Sequence, residues 1–210
     1  MKISIFGLGY VGCVSCAMLC RDHTVVGIDT NHDKVDLIRR GESPIVEKDI
    51  DQLIRAGVQA GKLSATTDPA EAVACTDVSI VCVGTPTRED GVYDLTFIER
   101  VADEIAVGIR RKSDRHVLVL RSTVPPGTTE RLIQEKFNGL AVSVCFNPEF
   151  LREGCAVSDY IDPPFIVLAG SDERAIRAGK SLYEGINAEV VVTSFRVAEM
   201  VKMLCNVLHA

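Results

Sequence analysis

The feature that most constrains this chain is its opening, Met1 to Gly12, where a short apolar run is broken by three closely spaced glycines. Ile3, Ile5 and Phe6 suit a strand buried on both faces. Gly7, Gly9 and Gly12 then spell G-x-G-x-x-G, and residues 11–20 read as a helix leaving that turn. In such a pattern the first glycine permits the tight turn, the second lets backbone approach a pyrophosphate, and the third lets helix and strand pack closely. The helix N-terminus then offers unpaired N–H groups and its positive dipole end to the phosphates. A second strand, Val25-Val26-Gly27-Ile28, ends in Asp29, placed where an acidic side chain would hold the two ribose hydroxyls of a dinucleotide. That carboxylate would repel a 2′-phosphate, so NAD rather than NADP is the expected cofactor.

Strand and helix alternate along the rest of the chain. Thr30 or Asn31 can cap a helix running to residue 40, and Gly41 to Pro44 breaks it. Residues 49–60 form a second predicted helix, 63–67 a short strand, and Asp68-Pro69 starts another helix. The apolar strand 78–83 stops at Gly84-Thr85-Pro86, and residues 95–109 read as a long amphipathic helix. Strand 117–120 ends at Arg121 to Gly127, helix 128–137 follows, and strand 142–146 ends at Asn147 to Glu153. Strands 165–169 and 190–192 flank a helix over 172–185. This alternation, with near-continuous apolar strands, predicts an α/β fold: a doubly wound, mostly parallel sheet of Rossmann type, spanning residues 1–193. Ligands in such a sheet sit outside the carboxyl ends of the strands, and the unusual polar segments all fall there.

Bulk properties narrow the class. With 210 residues, 47% of them hydrophobic, the chain can bury a substantial core. A net charge of −6 argues against nucleic acid or an acidic membrane surface as the main partner. No apolar run reaches the ~18 residues of a membrane span, and the first residues do not read as a signal peptide, so a cytoplasmic enzyme is expected. The 8 cysteines are then reduced thiols, with no metal set among them. Cys13, Cys16 and Cys20 fall on one face of the first helix and are expected to pack on the sheet as small apolar groups.

Residues 194–210 carry two stripes. Val197, Val201, Leu204 and Leu208 make the apolar one that packing demands. Glu199, Lys202, Asn206 and His209 share another face, mixing an anion, a cation, an amide and an imidazole, which suits either solvent or a polyfunctional ligand. No glycine, proline or cap stops this helix, so it is expected to be the start of a long connecting helix in a longer protein. An apolar stripe left exposed there would favour association or disorder.

Six segments together resemble the UDP-glucose/GDP-mannose dehydrogenase family: Phe6-Gly-Leu-Gly-Tyr-Val-Gly12, Ser43-Pro-Ile-Val-Glu47, Val81-Cys-Val-Gly-Thr-Pro86, Arg121-Ser-Thr-Val-Pro-Pro-Gly127, Asn147-Pro-Glu-Phe-Leu-Arg-Glu153, and Ala198-Glu-Met-Val-Lys202 with Asn206. The ending Cys205 to Ala210 looks like its GDP-mannose branch, which makes GDP-mannose the favoured sugar nucleotide over a UDP-sugar. The resemblance implies oxidation of a sugar C6 alcohol to an aldehyde, a cysteine-linked thioester and then a carboxylate, with two NAD reduced. It implies Thr123, Glu149, Glu153, Lys202 and Asn206 as catalytic residues. Thr123 and Lys202 would share a water, Asn206 would donate to the same oxygen, and one of Glu149 and Glu153 would act as base toward the hydrolytic water. The two glutamates lie four apart and are expected to share a face; which does what is open. For NAD it adds the amides of Tyr10 and Val11, Lys34 beside the ribose, and Thr85 and Thr123 near the nicotinamide. For the substrate it adds Glu153, Lys202, Asn206 and His209. It also implies a homodimer organised around the helix that begins near Ser194. The nucleophilic cysteine of the family lies beyond this helix, and Cys155 is the nearest substitute here. The expectation is therefore a chain that binds NAD without turning over sugar nucleotide. A stand-alone NAD-binding or redox-sensing module, or another nicotinamide enzyme acting on a smaller hydroxyacid, is the rival reading.

Overall fold

Mostly apolar stretches of three to five residues become the strands of one sheet. The structure is a computed structural model that describes residues 1–209; the His209 side chain and Ala210 lie outside the described part. The strands are β1 (Lys2–Phe6), β2 (Thr24–Ile28), β3 (Leu63–Thr66), β4 (Val78–Val81), β5 (His116–Leu120), β6 (Val142–Phe146), β7 (Ile166–Gly170) and β8 (Val190–Val192). Their spatial order is β3-β2-β1-β4-β5-β6-β7-β8. Neighbours from β3 to β6 pair in parallel, β7 is antiparallel to β6, and β8 is parallel to β7. The expected doubly wound, mostly parallel sheet is what forms. Its order reverses beside β1, where the chain leaves toward β2 and β3 and returns to β4 on the other side. A crevice opens at such a switch point, at the carboxyl ends of the strands.

The helices are α1 (Tyr10–Leu19), α2 (His32–Arg40), α3 (Ile50–Gln59), α4 (Pro69–Ala74), α5 (Thr96–Ile109), α6 (Thr128–Lys136), α7 (Ala156–Ile161), α8 (Glu173–Ser181) and α9 (Phe195–His209). Because side chains alternate along a strand, each face of the sheet gathers its own core. Ile3, Ile5, Ile80 and Val119 meet Val14, Ile38, Ile54 and Ala175 on one face. Phe6, Val81, Leu120 and Phe146 meet Val73, Ile105 and Leu132 on the other. Several helix starts carry the side-chain cap that their sequence offers: Asn31 accepts from the Asp33 amide, Asp68 from Glu71 and Asp172 from Ala175. As expected, Cys13, Cys16 and Cys20 are buried. Burial pushes the Cys13 thiol up to about 12 and Cys16 well above the ordinary range, so these thiols are packing groups rather than nucleophiles.

Three features depart from the expectations above. Residues 156–161 form α7, a short helix stopped before Pro163-Pro164, which buries Ala156 and Tyr160. Its six residues hold too little periodicity to stand out in the sequence. The other two departures concern α9 and the segment after β6. On α9 most of the apolar stripe does not face the body: Val201 is half-buried and packs on the core, but Val197, Leu204 and Leu208 are exposed, while Ala198, Glu199 and Lys202 are buried. The reason is polar, because the groups it meets below need a carboxylate and an ammonium. Segment 147–155 is not helical, so Glu149 and Glu153 share no helix face; Glu149 turns inward and Glu153 stands exposed in a turn.

Candidate active site

At the switch point the β1–α1 turn is held by its glycines. Gly7 adopts φ 94 and donates its N–H to the Ile28 carbonyl at 2.8 Å. A Cβ on Gly12 would lie 1.7 Å from the Gly7 carbonyl oxygen. Gly9 is different, since a Cβ there would meet no protein atom within 4 Å. Packing explains the first and third glycines, and only something outside the protein explains the second. Gly9 is also the N-cap of α1 and brings no side-chain cap, and no acidic residue occupies the first turn. The amides of the first turn, at Tyr10 and Val11 among others, are thus left for an anion. The residues fit the pyrophosphate of NAD.

Asp29, at the end of the neighbouring strand β2, is fixed by two amides: Leu8 N at 2.7 Å and Asn31 N at 2.9 Å. Lys34 reaches it at 3.7 Å. A carboxylate pinned beside the glycine turn has lone pairs left for ribose hydroxyls and no freedom to retreat from a 2′-phosphate. Further along the same edge, Thr85 after β4 donates its hydroxyl to the Thr123 carbonyl after β5 at 2.7 Å. The two threonines therefore stand side by side at adjacent strand ends.

The second half of the edge is built from α9 and the loop after β6. Lys202 Nζ lies 3.0 Å from Glu149 Oε1, with the two side chains only 7% and 14% exposed. Glu149 Oε2 also accepts from the Leu151 amide at 2.7 Å, and Lys202 sits 5.5 Å from the centre of the Phe150 ring. A nearly dry ion pair of this kind is costly to assemble and carries a strong local field. Asn206, one turn further along α9, is exposed. The structure thus brings together Thr85 with Thr123 and Glu149 with Lys202; it leaves Glu153 and Asn206 at the rim.

Several anchoring residues carry no role in the sequence reading. Glu199, fully buried, accepts from Gly127 N at 2.6 Å, Thr129 N at 2.8 Å and the Thr129 hydroxyl at 2.7 Å. It caps α6, whose own N-cap Gly127 has no side chain to do so. Through this cap α9, with Lys202, is locked to the loop that holds Thr123. Its stripe position marked it as polar, but not as the inward-facing member. Glu199→Ala orphans two buried donors and one partly buried one, and we expect it to cost about 3 kcal/mol in urea unfolding. A loss below about 0.5 kcal/mol would show that α9 does not depend on this cap. Arg121, also buried, donates to Ser15 at 3.0 Å, to Asn147 at 2.6 Å and to the Tyr183 hydroxyl at 2.9 Å, fixing the start of the Glu149 loop. An arginine directly after the apolar run 117–120 of β5 was the available signal.

Comparison with known proteins bears on these halves. Residues 1–187 match the model for the UDP-glucose/GDP-mannose dehydrogenase family, NAD binding domain. The chain is 45% identical over 218 aligned residues to GDP-mannose 6-dehydrogenase of Pseudomonas savastanoi pv. phaseolicola, covering 100% of this chain and 50% of that protein. It is 38% identical to UDP-glucose 6-dehydrogenase of Rhizobium meliloti, covering 98% of this chain and 49% of that one. A ternary complex of GDP-mannose dehydrogenase from Pseudomonas aeruginosa superposes with a TM-score of 0.95 at 44% identity, over 100% of this chain and 50% of that one. The chain spans about half the length of the relatives it matches.

Proposed function

This chain belongs to the UDP-glucose/GDP-mannose dehydrogenase family and carries its NAD-binding domain, and from that premise we propose that the protein it forms oxidises the C6 alcohol of GDP-mannose to the carboxylate. NAD supplies the oxidation by accepting a hydride in each of two steps. Residues 1–193 form the NAD-binding domain, and 194–210 begin a connecting helix on which a homodimer is organised. The uncapped N-terminus of α1 and the open space at Gly9 receive the pyrophosphate, Asp29 the ribose, and Thr85 with Thr123 the nicotinamide half.

The observation that carries the reading is the Glu149–Lys202 pair at 3.0 Å, on the same edge as the glycine turn. A module that only binds NAD has no use for a nearly dry ion pair there. Lys202 offers a fixed positive charge to an oxygen that becomes negative as the alcohol loses its proton, and Thr123 holds a water beside it. Asn206 donates to the same oxygen, and Glu153 meets the sugar at the rim. His209 is assigned to the substrate by the family resemblance alone, since its side chain lies outside the described part. Glu149 serves as base toward the hydrolytic water, its charge balanced by Lys202 until then.

The buried cysteines of this chain do not supply the thioester nucleophile. Cys13, Cys16, Cys20, Cys82 and Cys145 are buried, and burial pushes Cys82 up to about 11 and Cys145 up to about 12. Cys75 and Cys155 are exposed and Cys205 partly so, but by the family resemblance the nucleophile lies beyond α9, so residues 1–210 alone are read as binding NAD without producing NADH from sugar nucleotide. The test is calorimetric titration of this chain with NAD, then NADH formation by a protein of the relatives' full length with GDP-mannose and UDP-glucose. Higher kcat/KM with UDP-glucose would move the substrate to the UDP branch. NADH production by the 210-residue chain would overturn the division of labour.

A further inference from the structure

The motif Ser43-Pro-Ile-Val-Glu47 takes no catalytic or binding role in the reading above, yet it inverts the usual burial order. Val46 is 99% exposed while the adjacent Glu47 is only 9% exposed. Two residues on, Asp49 takes φ 64, the one non-glycine residue with positive φ among the described residues. Such a conformation costs about 1 kcal/mol or more and persists only where its surroundings require it. The loop gives up a valine and accepts strain to put a carboxylate in one place.

What that carboxylate touches accounts for the cost. The Tyr10 hydroxyl donates to Glu47 Oε2, and the Gly154 amide reaches the same oxygen at 2.8 Å. Gly154 N also lies 3.1 Å from the Tyr10 hydroxyl, which in turn stands 3.2 Å from the Arg152 carbonyl. The Lys48 amide donates to the other carboxylate oxygen at 3.1 Å. The hydrogen bond from Tyr10 holds the Glu47 carboxyl below its usual range, so it is ionised and acceptor-only at neutral pH. Tyr10 is the first residue of α1, the helix whose amides face the pyrophosphate. Gly154 follows Glu153 in the loop that Glu149 opens. Glu47 is therefore the shared partner of the cofactor helix and of the loop with both acidic residues.

We propose that Glu47 is a positioning residue, tying the loop of Glu149 and Glu153 to the first turn of α1, so that NAD on α1 orders the loop for the sugar nucleotide. The proposal rests on the functional reading above. Binding of NAD and of sugar nucleotide are then coupled, and by linkage each strengthens the other.

The full-length enzyme tests this. Glu47→Gln keeps the shape of the side chain and removes its charge. It is expected to leave the NAD Kd within about threefold and to lower kcat/KM for sugar nucleotide about 10- to 100-fold, as displaced reacting groups do. Tyr10→Phe should lower it similarly, and the double variant should be no worse than the poorer single one, because both break one contact set. Hydrogen exchange supplies a second arm: NAD should slow exchange of the peptide containing Gly154 in the wild type and not in Glu47→Gln. Independent, additive losses would overturn the proposal. So would a lower melting temperature with unchanged kcat/KM, or NAD-dependent protection that persists in Glu47→Gln. If the wild type turns over no sugar nucleotide, the functional reading fails, and the exchange arm alone decides for or against the tie.

Discussion

Gly12→Ala is expected to abolish NAD binding and to destabilise the domain by about 3 kcal/mol or more, the upper range for overpacking a tight site. The added methyl would lie 1.7 Å from the Gly7 carbonyl oxygen and 2.9 Å from its carbon. Both are backbone atoms, so no rotamer change relieves the contact. Either α1 must rise off β1 or the Gly7 turn must open. The first breaks packing between fully buried Val14 and Ala17 and the sheet. The second loses the Gly7 N–H bond to Ile28 and moves the amides away from the phosphates. The matched control is Gly9→Ala, where a Cβ meets no protein atom within 4 Å. That variant should melt with the wild type and still lose about tenfold or more in NAD affinity, because the space its methyl fills belongs to the ligand. Calorimetric titration with NAD and thermal unfolding of the three proteins separate the effects. An NAD Kd for Gly12→Ala within threefold of wild type would show that the turn tolerates displacement and that the phosphates bind elsewhere.

How much of this was legible follows from what each signal encodes. Strand positions were readable because a sheet covered on both faces demands near-continuous apolar runs, as in Val78–Val81, interrupted only by Ser79, and in residues 117–120. Helix starts at Asn31, Asp68 and Asp172 were readable because capping is local. The orientation of α9 was not. Spacing tells that Glu199 and Lys202 share a face, but which face meets the body depends on partners far away in sequence. Here those partners are the orphan amides at the start of α6 and the Glu149 carboxylate, and they outweigh the transfer of Val197 and Leu204 out of water. The same limit hid the contact between Tyr10 and Glu47. Their motifs were recognisable as separate stretches, while the contact that joins them exists only once the start of α1 and the loop before α3 converge. Glu149 and Glu153 show the converse error, in which sequence spacing suggested a shared face that a non-helical segment does not provide.

Lys202→Ala is expected to lower kcat for sugar nucleotide about 10³-fold in the full-length enzyme, the loss typical when a preorganised charge at a developing oxyanion is removed. NAD affinity should change less than about threefold, because Lys202 lies on α9 and the cofactor's phosphates and ribose are held from α1 and β2. The difficulty is that Lys202 also neutralises Glu149 at 3.0 Å in a site nearly closed to water. Removing it leaves a carboxylate without its cation, which alone destabilises a protein by about 3–5 kcal/mol when fully buried and by less at this exposure. Lost activity could then report lost structure. Lys202→Met keeps the chain length and the contact with Phe150 while deleting the charge. Adding Glu149→Gln to it removes the orphaned anion, so the double variant should regain most of the melting temperature lost by Lys202→Met. It should regain none of the turnover, since neither the cation nor the base is restored. Lys202→Arg is a further discriminator: a guanidinium keeps the charge but spreads it over a planar fork, and it should stay at least tenfold below wild type where one oxygen must be met by a compact ammonium. Turnover by Lys202→Ala within tenfold of wild type would remove the lysine from the chemistry. Recovery of turnover in the Met–Gln double variant would reduce it to a counter-ion for Glu149.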